Sequence, residues 1–286
     1  MSLIFDYPFT SHYRDVMGVK LHYLDEGDRS APVIIFMHGV PTWSYTFRHI
    51  IPECTAAGYR VIAPDLPGFG LSEKEISIET LSLSWLVKVM GEFISQVCVE
   101  PPVLVAHDWG GVIGLLLVAE EGDPFSGIIL CNSFLPSPGM SAPLLFRFWR
   151  VLARFSPLLP IGSIINAACY RKLTAQEKKG YNYPFDSSTD KRIVRIMPDL
   201  LPIGIDHPEN ERIERAWEVL EKWEKPLLTL FSDGDPITRG GEEIIQGRIP
   251  GARYQNHRIF PGGHFIQEDA PGDISNAILD FMHALK

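Results

Sequence analysis

An aspartate stands at the centre of Ala106-His107-Asp108-Trp109-Gly110, between an apolar run, Pro102–Ala106, and a stretch that continues with small residues, Gly110-Gly111-Val112-Ile113-Gly114. A small-x-nucleophile-x-small frame suits a sharp strand-to-helix turn, whose strained backbone leaves no room for bulky neighbours. Such a turn ordinarily carries serine. A serine alkoxide attacks acyl carbon, whereas a carboxylate displaces a leaving group from saturated carbon and is left esterified on the chain. Asp108 therefore points away from ester hydrolysis and towards the opening of carbon–halogen bonds or epoxides.

Two further groups stand where a partner for Asp108 is needed. Asp235, in Phe231-Ser232-Asp233-Gly234-Asp235-Pro236, and His264, in Pro261-Gly262-Gly263-His264-Phe265, each follow a predicted strand. The chain order nucleophile, acid, histidine is that of the α/β-hydrolase arrangement. Asp233 is the rival acid; Asp235 is preferred because the turn ending in Asp-Pro places it deeper in its loop. His38-Gly39-Val40-Pro41 closes an earlier strand. Its Val40 N–H, with that of Trp109, could hold an oxyanion on the Asp108 carboxyl; a plain tight turn is the competing reading. His38 reads as structural. Asp65-Leu66-Pro67-Gly68-Phe69-Gly70-Leu71-Ser72 lacks the Gly-Lys-Ser/Thr ending of a phosphate loop and reads as a shaped turn.

The elements that must position these groups are legible as short apolar runs alternating with helical patterns, the mark of a mostly parallel sheet with helices on both faces. Tyr13–Val16 and Val19–Leu24 read as a hairpin about Met17-Gly18. Further strands are expected at Val33–Met37, Arg60–Ala63, Val103–Ala106, Gly127–Asn132, Pro226–Phe231 and Tyr254–Phe260, with a closing helix over Asp273–Leu285. Between Phe134 and Glu209 the strand rhythm stops and prolines and aromatics crowd in. That stretch is too long for a loop and is expected to be a helical cap, residues 134–209, over the carboxyl ends of the strands. The core domain then comprises residues 1–133 and 210–286. Ligands of open α/β sheets bind in the crevice that such a cap would cover.

The 286 residues are 45% hydrophobic, enough for one large core. The net charge of −9, with no basic cluster evident along the chain, argues against nucleic acid or an anionic membrane as partner. Cys54, Cys98, Cys131 and Cys169 form neither a CxxC pair nor a metal-binding spacing; Cys98 and Cys131 lie in apolar runs and read as small buried hydrophobes. The N-terminal residues show no basic run followed by an apolar one, and no uncharged apolar stretch approaches about 18 residues. A cytoplasmic, monomeric enzyme with no cofactor and no metal is the expectation.

With these residues assembled, the chain resembles the haloalkane dehalogenases of the α/β-hydrolase superfamily over nearly its full length. The resemblance rests on His38–Tyr45, Asp65–Ser72, His107–Gly111 and Gly263–Glu268. The two middle segments are shared with epoxide hydrolases. One branch of the family places its catalytic acid as a glutamate after the strand that follows the nucleophile helix; here that position is Asn132, which cannot serve. The other branch uses an aspartate after the later strand, matching Asp235. In that branch the resemblance implies that two tryptophans grip the departing halide. Trp109 matches the first, and Trp149, the lone tryptophan of the cap stretch, matches the second. Indole offers a donor and no acceptor, which suits a large, weakly hydrated anion. Val40 stands where relatives often have Asn or Glu, so a third side-chain contact to halide is not expected. The resemblance implies hydrolysis of haloalkanes to alcohol, halide and proton through an ester on Asp108. Epoxide hydrolysis is the alternative, with Tyr170, Tyr181 or Tyr183 of the cap as acid. A receptor-like relative that only binds an apolar molecule would not need His264 and Asp235.

Overall fold

The computed structural model describes residues 4–204 and 206–285. Eight strands form one sheet in the order β1-β2-β4-β3-β5-β6-β7-β8. They are β1 His12–Val16, β2 Val19–Glu26, β3 Val33–Met37, β4 Arg60–Pro64, β5 Val103–His107, β6 Gly127–Cys131, β7 Leu227–Ser232 and β8 Arg258–Phe260. The β1–β2 and β2–β4 pairs are antiparallel, and the other neighbours run parallel. β5, β6 and β7 are buried throughout, as strands covered on both faces must be. Their largely apolar runs are what made them readable.

Helices among the described residues are α1 Ile51–Ala56, α2 Leu83–Val97, α3 Trp109–Glu120, α4 Leu144–Phe155, α5 Ile161–Ala167, α6 Ala175–Asn182, α7 Arg192–Leu200, α8 Asn210–Leu220, α9 Gly241–Arg248, α10 Ile266–Asp269 and α11 Pro271–Ala284. From β3 the chain steps to β4 on one side and then to β5 on the other. Their carboxyl ends, bearing His38–Val40 and Asp108, therefore flank the point where the winding reverses and a crevice opens. Helices α4 to α7 all fall between β6 and α8. α4 packs on α7 and α5 on α6, while α8 returns to pack on α3.

The eighth strand is shorter than expected. Only Arg258–Phe260 pairs with β7, because Tyr254 has φ 65° and is fully exposed, so the chain is still turning there. Asn132 ends β6 one residue early, at φ 40°.

The turn from β5 into α3 is made within one residue. Asp108 sits at φ 49°, ψ −117°, a conformation that a non-glycine residue holds only when its surroundings enforce it. A Cβ on Gly110 would lie 2.2 Å from the Met37 carbonyl oxygen, and one on Gly39 2.4 Å from the Asp108 Cβ. Gly110→Ala should accordingly destabilise the fold by about 1–3 kcal/mol through overpacking. Gly247→Ala, in α9 with nothing within 4 Å of the added methyl, should leave stability unchanged or raise it. Thermal unfolding of the two variants checks the contrast.

Candidate active site

Asp108, Asp235 and His264 project from three different strand ends and converge. His264 Nδ1 lies 2.9 Å from Asp235 Oδ2, and His264 Nε2 lies 3.5 Å from Asp108 Oδ2. The other Asp108 oxygen, Oδ1, accepts the Val40 N–H at 2.9 Å. The Asp108 carbonyl accepts the Ser133 hydroxyl at 2.6 Å and the Gly111 N–H at 3.0 Å. The carboxyl also stands at the N-terminus of α3, where first-turn N–H groups lack intrahelical acceptors and favour negative charge.

Asp235 is 1% exposed and is held by the Ile237 N–H at 2.8 Å and by the Thr238 hydroxyl. Burial pushes its pKa up. The charge and hydrogen bond of His264, with Thr238 and Ile237, outweigh this and bring it down to about 2. The rival Asp233 instead accepts the Gly262 N–H from the neighbouring loop. Burial by itself would lower the His264 pKa, but the ionised Asp235 and the bonds to both carboxylates raise it. For Asp108, burial raises the pKa, and the neighbouring imidazole and the Val40 N–H bring it below the ordinary value.

Two residues whose positional roles the sequence left unread brace this constellation. Asn132, noticed only as a position unable to supply an acid, accepts the Ser232 N–H at 2.9 Å through Oδ1 and donates through Nδ2 to the His264 carbonyl at 3.0 Å. His107 donates through Nε2 to the same carbonyl at 2.8 Å, and its ring lies 4.9 Å from that of His264. Burial, then the charge of His264, lowers its pKa to about 4, so it stands neutral beside Asp108, Asp235 and His264. The side-chain type alone carried no signal for either role. His38 bridges backbone, with Nδ1 on the Gly39 carbonyl and Nε2 accepting the Leu66 N–H. Asp65 accepts N–H groups from Ser44 and Leu71 and pairs with His22 at 2.8 Å, which makes its glycine-rich segment the shaped turn expected of it.

Above Asp108 lies a cavity of about 220 Å³, walled by Val40, Trp109, Phe146, Trp149, Ile164 and His264 among others. Trp109 and Trp149 thus face the same space as the Asp108 carboxyl. A smaller recess of about 40 Å³ opens from Asp108 towards Phe134, Met140 and Leu201. The cavity walls contributed by α4 and α5 follow from helix packing, which apolar composition alone does not specify.

A loop beside His264 is tied to the inserted helices. The His264 N–H donates to the Ala168 carbonyl at 2.8 Å. The Asp269 carboxylate accepts the N–H groups of Gly263, Tyr170 and Arg171 at 2.8, 2.9 and 2.8 Å. Next to it the buried Glu268 is gripped by Arg48 at 2.5 and 3.1 Å, by Arg171 and by the Tyr181 hydroxyl. Glu177 of α6 closes the cluster on both arginines.

Comparison with known proteins identifies the family. A family profile described as the alpha/beta hydrolase fold matches residues 32–159. A haloalkane dehalogenase of Psychrobacter cryohalolentis is 40% identical, with 97% of this chain and 94% of that one covered. One of Mycobacterium marinum is 37% identical over 96% of this chain and 94% of its own. Among solved structures, a haloalkane dehalogenase of Paraglaciecola agarilytica, described as tetrameric, superposes with a TM-score of 0.87 at 26% identity, covering 96% of this chain and 93% of that one. With likeness to these relatives running over nearly its whole length, the chain belongs to the haloalkane dehalogenase family of α/β hydrolases.

Proposed function

We propose that this haloalkane dehalogenase works through a covalent ester on Asp108; the observation that carries the reading is one cavity shared by Asp108, His264 and two indoles. The carboxylate oxygen Oδ2 attacks the halogen-bearing carbon in line, the carbon–halogen bond breaks, and the halide leaves with its electron pair towards the N–H groups of Trp109 and Trp149. His264 Nε2 then takes a proton from water, which adds to the Asp108 carboxyl carbon. The Val40 N–H, with that of Trp109, holds the oxyanion on Oδ1. Collapse of this intermediate expels the alkoxide, which takes the proton of the added hydroxyl and leaves as the alcohol; the carboxylate is restored and the proton on His264 passes to solvent. Asp235 keeps the imidazole oriented and stabilises its cationic form. Residues 134–209 act as the cap over a core of residues 1–133 and 210–286. No cofactor or metal enters these steps. Four free cysteines, three of them buried, fit residence in the cytoplasm, and no described helix is long and apolar enough to cross a membrane.

The charge of Asp108 also times the base. While ionised it helps hold His264 protonated; once alkylated it is neutral, and the imidazole gives up its proton more readily, in time for the hydrolytic step. Epoxide opening fits this chain poorly. Tyr181 is buried against Glu268, and Tyr170 and Tyr183 are 56% and 41% exposed. None of the three lines the cavity above Asp108.

Three measurements test these assignments. His264→Phe exposed to 1,2-dibromoethane should gain the mass of one 2-bromoethyl group; unmodified protein would rule out the ester. Asp108→Asn should titrate His264 at lower pH than the wild type does, read by NMR of the imidazole, because the neutral amide removes the charge that favours imidazolium. Trp149→Phe should lower kcat by about 10- to 1000-fold and diminish the quenching of tryptophan fluorescence by bromide, while Trp85→Phe should leave kcat unchanged.

A further inference from the structure

We infer that the outer face of α4 docks on an anionic lipid surface and draws apolar substrate from it into the cavity above Asp108. Leu144, Phe148, Phe155 and Leu158 are 81%, 62%, 72% and 76% exposed, and with Leu145 and Val151 they form one stripe along α4 and just beyond it. Contiguous exposed apolar surface of this kind on a soluble protein marks an interaction site. Leu145 and Phe148 belong to the stripe and also to the cavity wall. The stripe is therefore continuous with the substrate space.

Charge selects the occupant. Arg147, Arg150 and Arg154 lie along the same helix, and the Asp199 carboxylate is shared by Arg150 at 2.6 Å and Arg154 at 3.5 Å, so cations outnumber this acid. Lys191 and Arg195 reach the same end of α4, bonding the Leu158 carbonyl and the Ala153 and Ser156 carbonyls. In a chain of net charge −9, no Asp or Glu occurs from Pro124 to Gln176. A second copy packed stripe on stripe would set arginine against arginine and seal the entrance at Leu145 and Phe148. An anionic bilayer does the reverse. Its phosphates meet the guanidinium groups, its acyl boundary accepts the leucines and phenylalanines, and the entrance faces the phase in which haloalkanes dissolve. The delivery half of this inference rests on the cavity being the substrate site; the docking half does not.

Flotation of the full-length protein with vesicles of phosphatidylcholine, with and without phosphatidylglycerol, tests the surface. Binding is expected only to the phosphatidylglycerol vesicles and is expected to fall at high salt. Leu144→Ser with Phe155→Ser should abolish it, and Arg147→Glu should weaken it by about fivefold or more. The serine pair, whose positions lie outside the cavity wall, should still turn over dissolved 1,2-dibromoethane at the wild-type rate. It should lose the advantage on a long-chain 1-bromoalkane embedded in anionic vesicles. Asp108→Asn should bind vesicles as the wild type does without turnover, which separates failure of the surface from failure of the cavity. Absence of binding to anionic vesicles would overturn the inference. So would a dimer in analytical ultracentrifugation that the serine pair dissolves, since that would give the stripe to a second copy of the chain.

Discussion

A carboxylate set against an apolar cavity keeps its charge only if the contributions lost with water are replaced. Isolated ionic groups buried without partners neutralise instead. Asp108 meets this demand with the Val40 N–H on one oxygen, His264 facing the other and the N-terminus of α3 beneath it. The compensation is geometric, so it fails if the turn relaxes. That is why the residue sits at positive φ between two glycines whose side chains would collide with their surroundings. The supporting bonds from Ser133, Asn132 and His107 all hold the backbone carbonyls of Asp108 and His264 in place.

The same logic governs the cluster in which the half-buried Arg171 joins buried Arg48, Glu177 and Glu268. Removing one member of a buried ion pair leaves an uncompensated charge, so such clusters fix specific arrangements more surely than they add stability. Here the arrangement joins the 3₁₀ turn of the core at Ser44–Phe47, the inserted helices and the segment after His264.

Much of this was legible in the sequence because it depends on local chemistry. A small-residue frame around Asp108, apolar runs for buried strands and polar residues at strand ends are local signals. Asn132 in place of an acid led to Asp235, whose carboxylate the fold places against His264 Nδ1. Less was legible where the outcome depends on packing. Tyr254 has a strand-forming side chain, yet its positive φ keeps it out of β8. Tyr181 looked available as an acid until the fold buried it in the ionic cluster. Whole-chain charge was the least informative quantity. The value of −9 is an average that conceals an acid-free stretch, and three arginines spaced three and four residues apart become one face only when α4 forms.

The Asp269 carboxylate, receiving N–H groups from Gly263, Tyr170 and Arg171, makes two unequal halves of the inserted helices. The link between α5 and α6 shares an anchor with the backbone beside His264, so a shift there would be passed on to that residue. α4 carries no such bond to the base segment among those described, and it contributes Phe146, Trp149 and Leu152 to the cavity. A substitution in α4 can therefore reshape the cavity wall without touching the loop beside His264, whereas one in the α5–α6 link cannot.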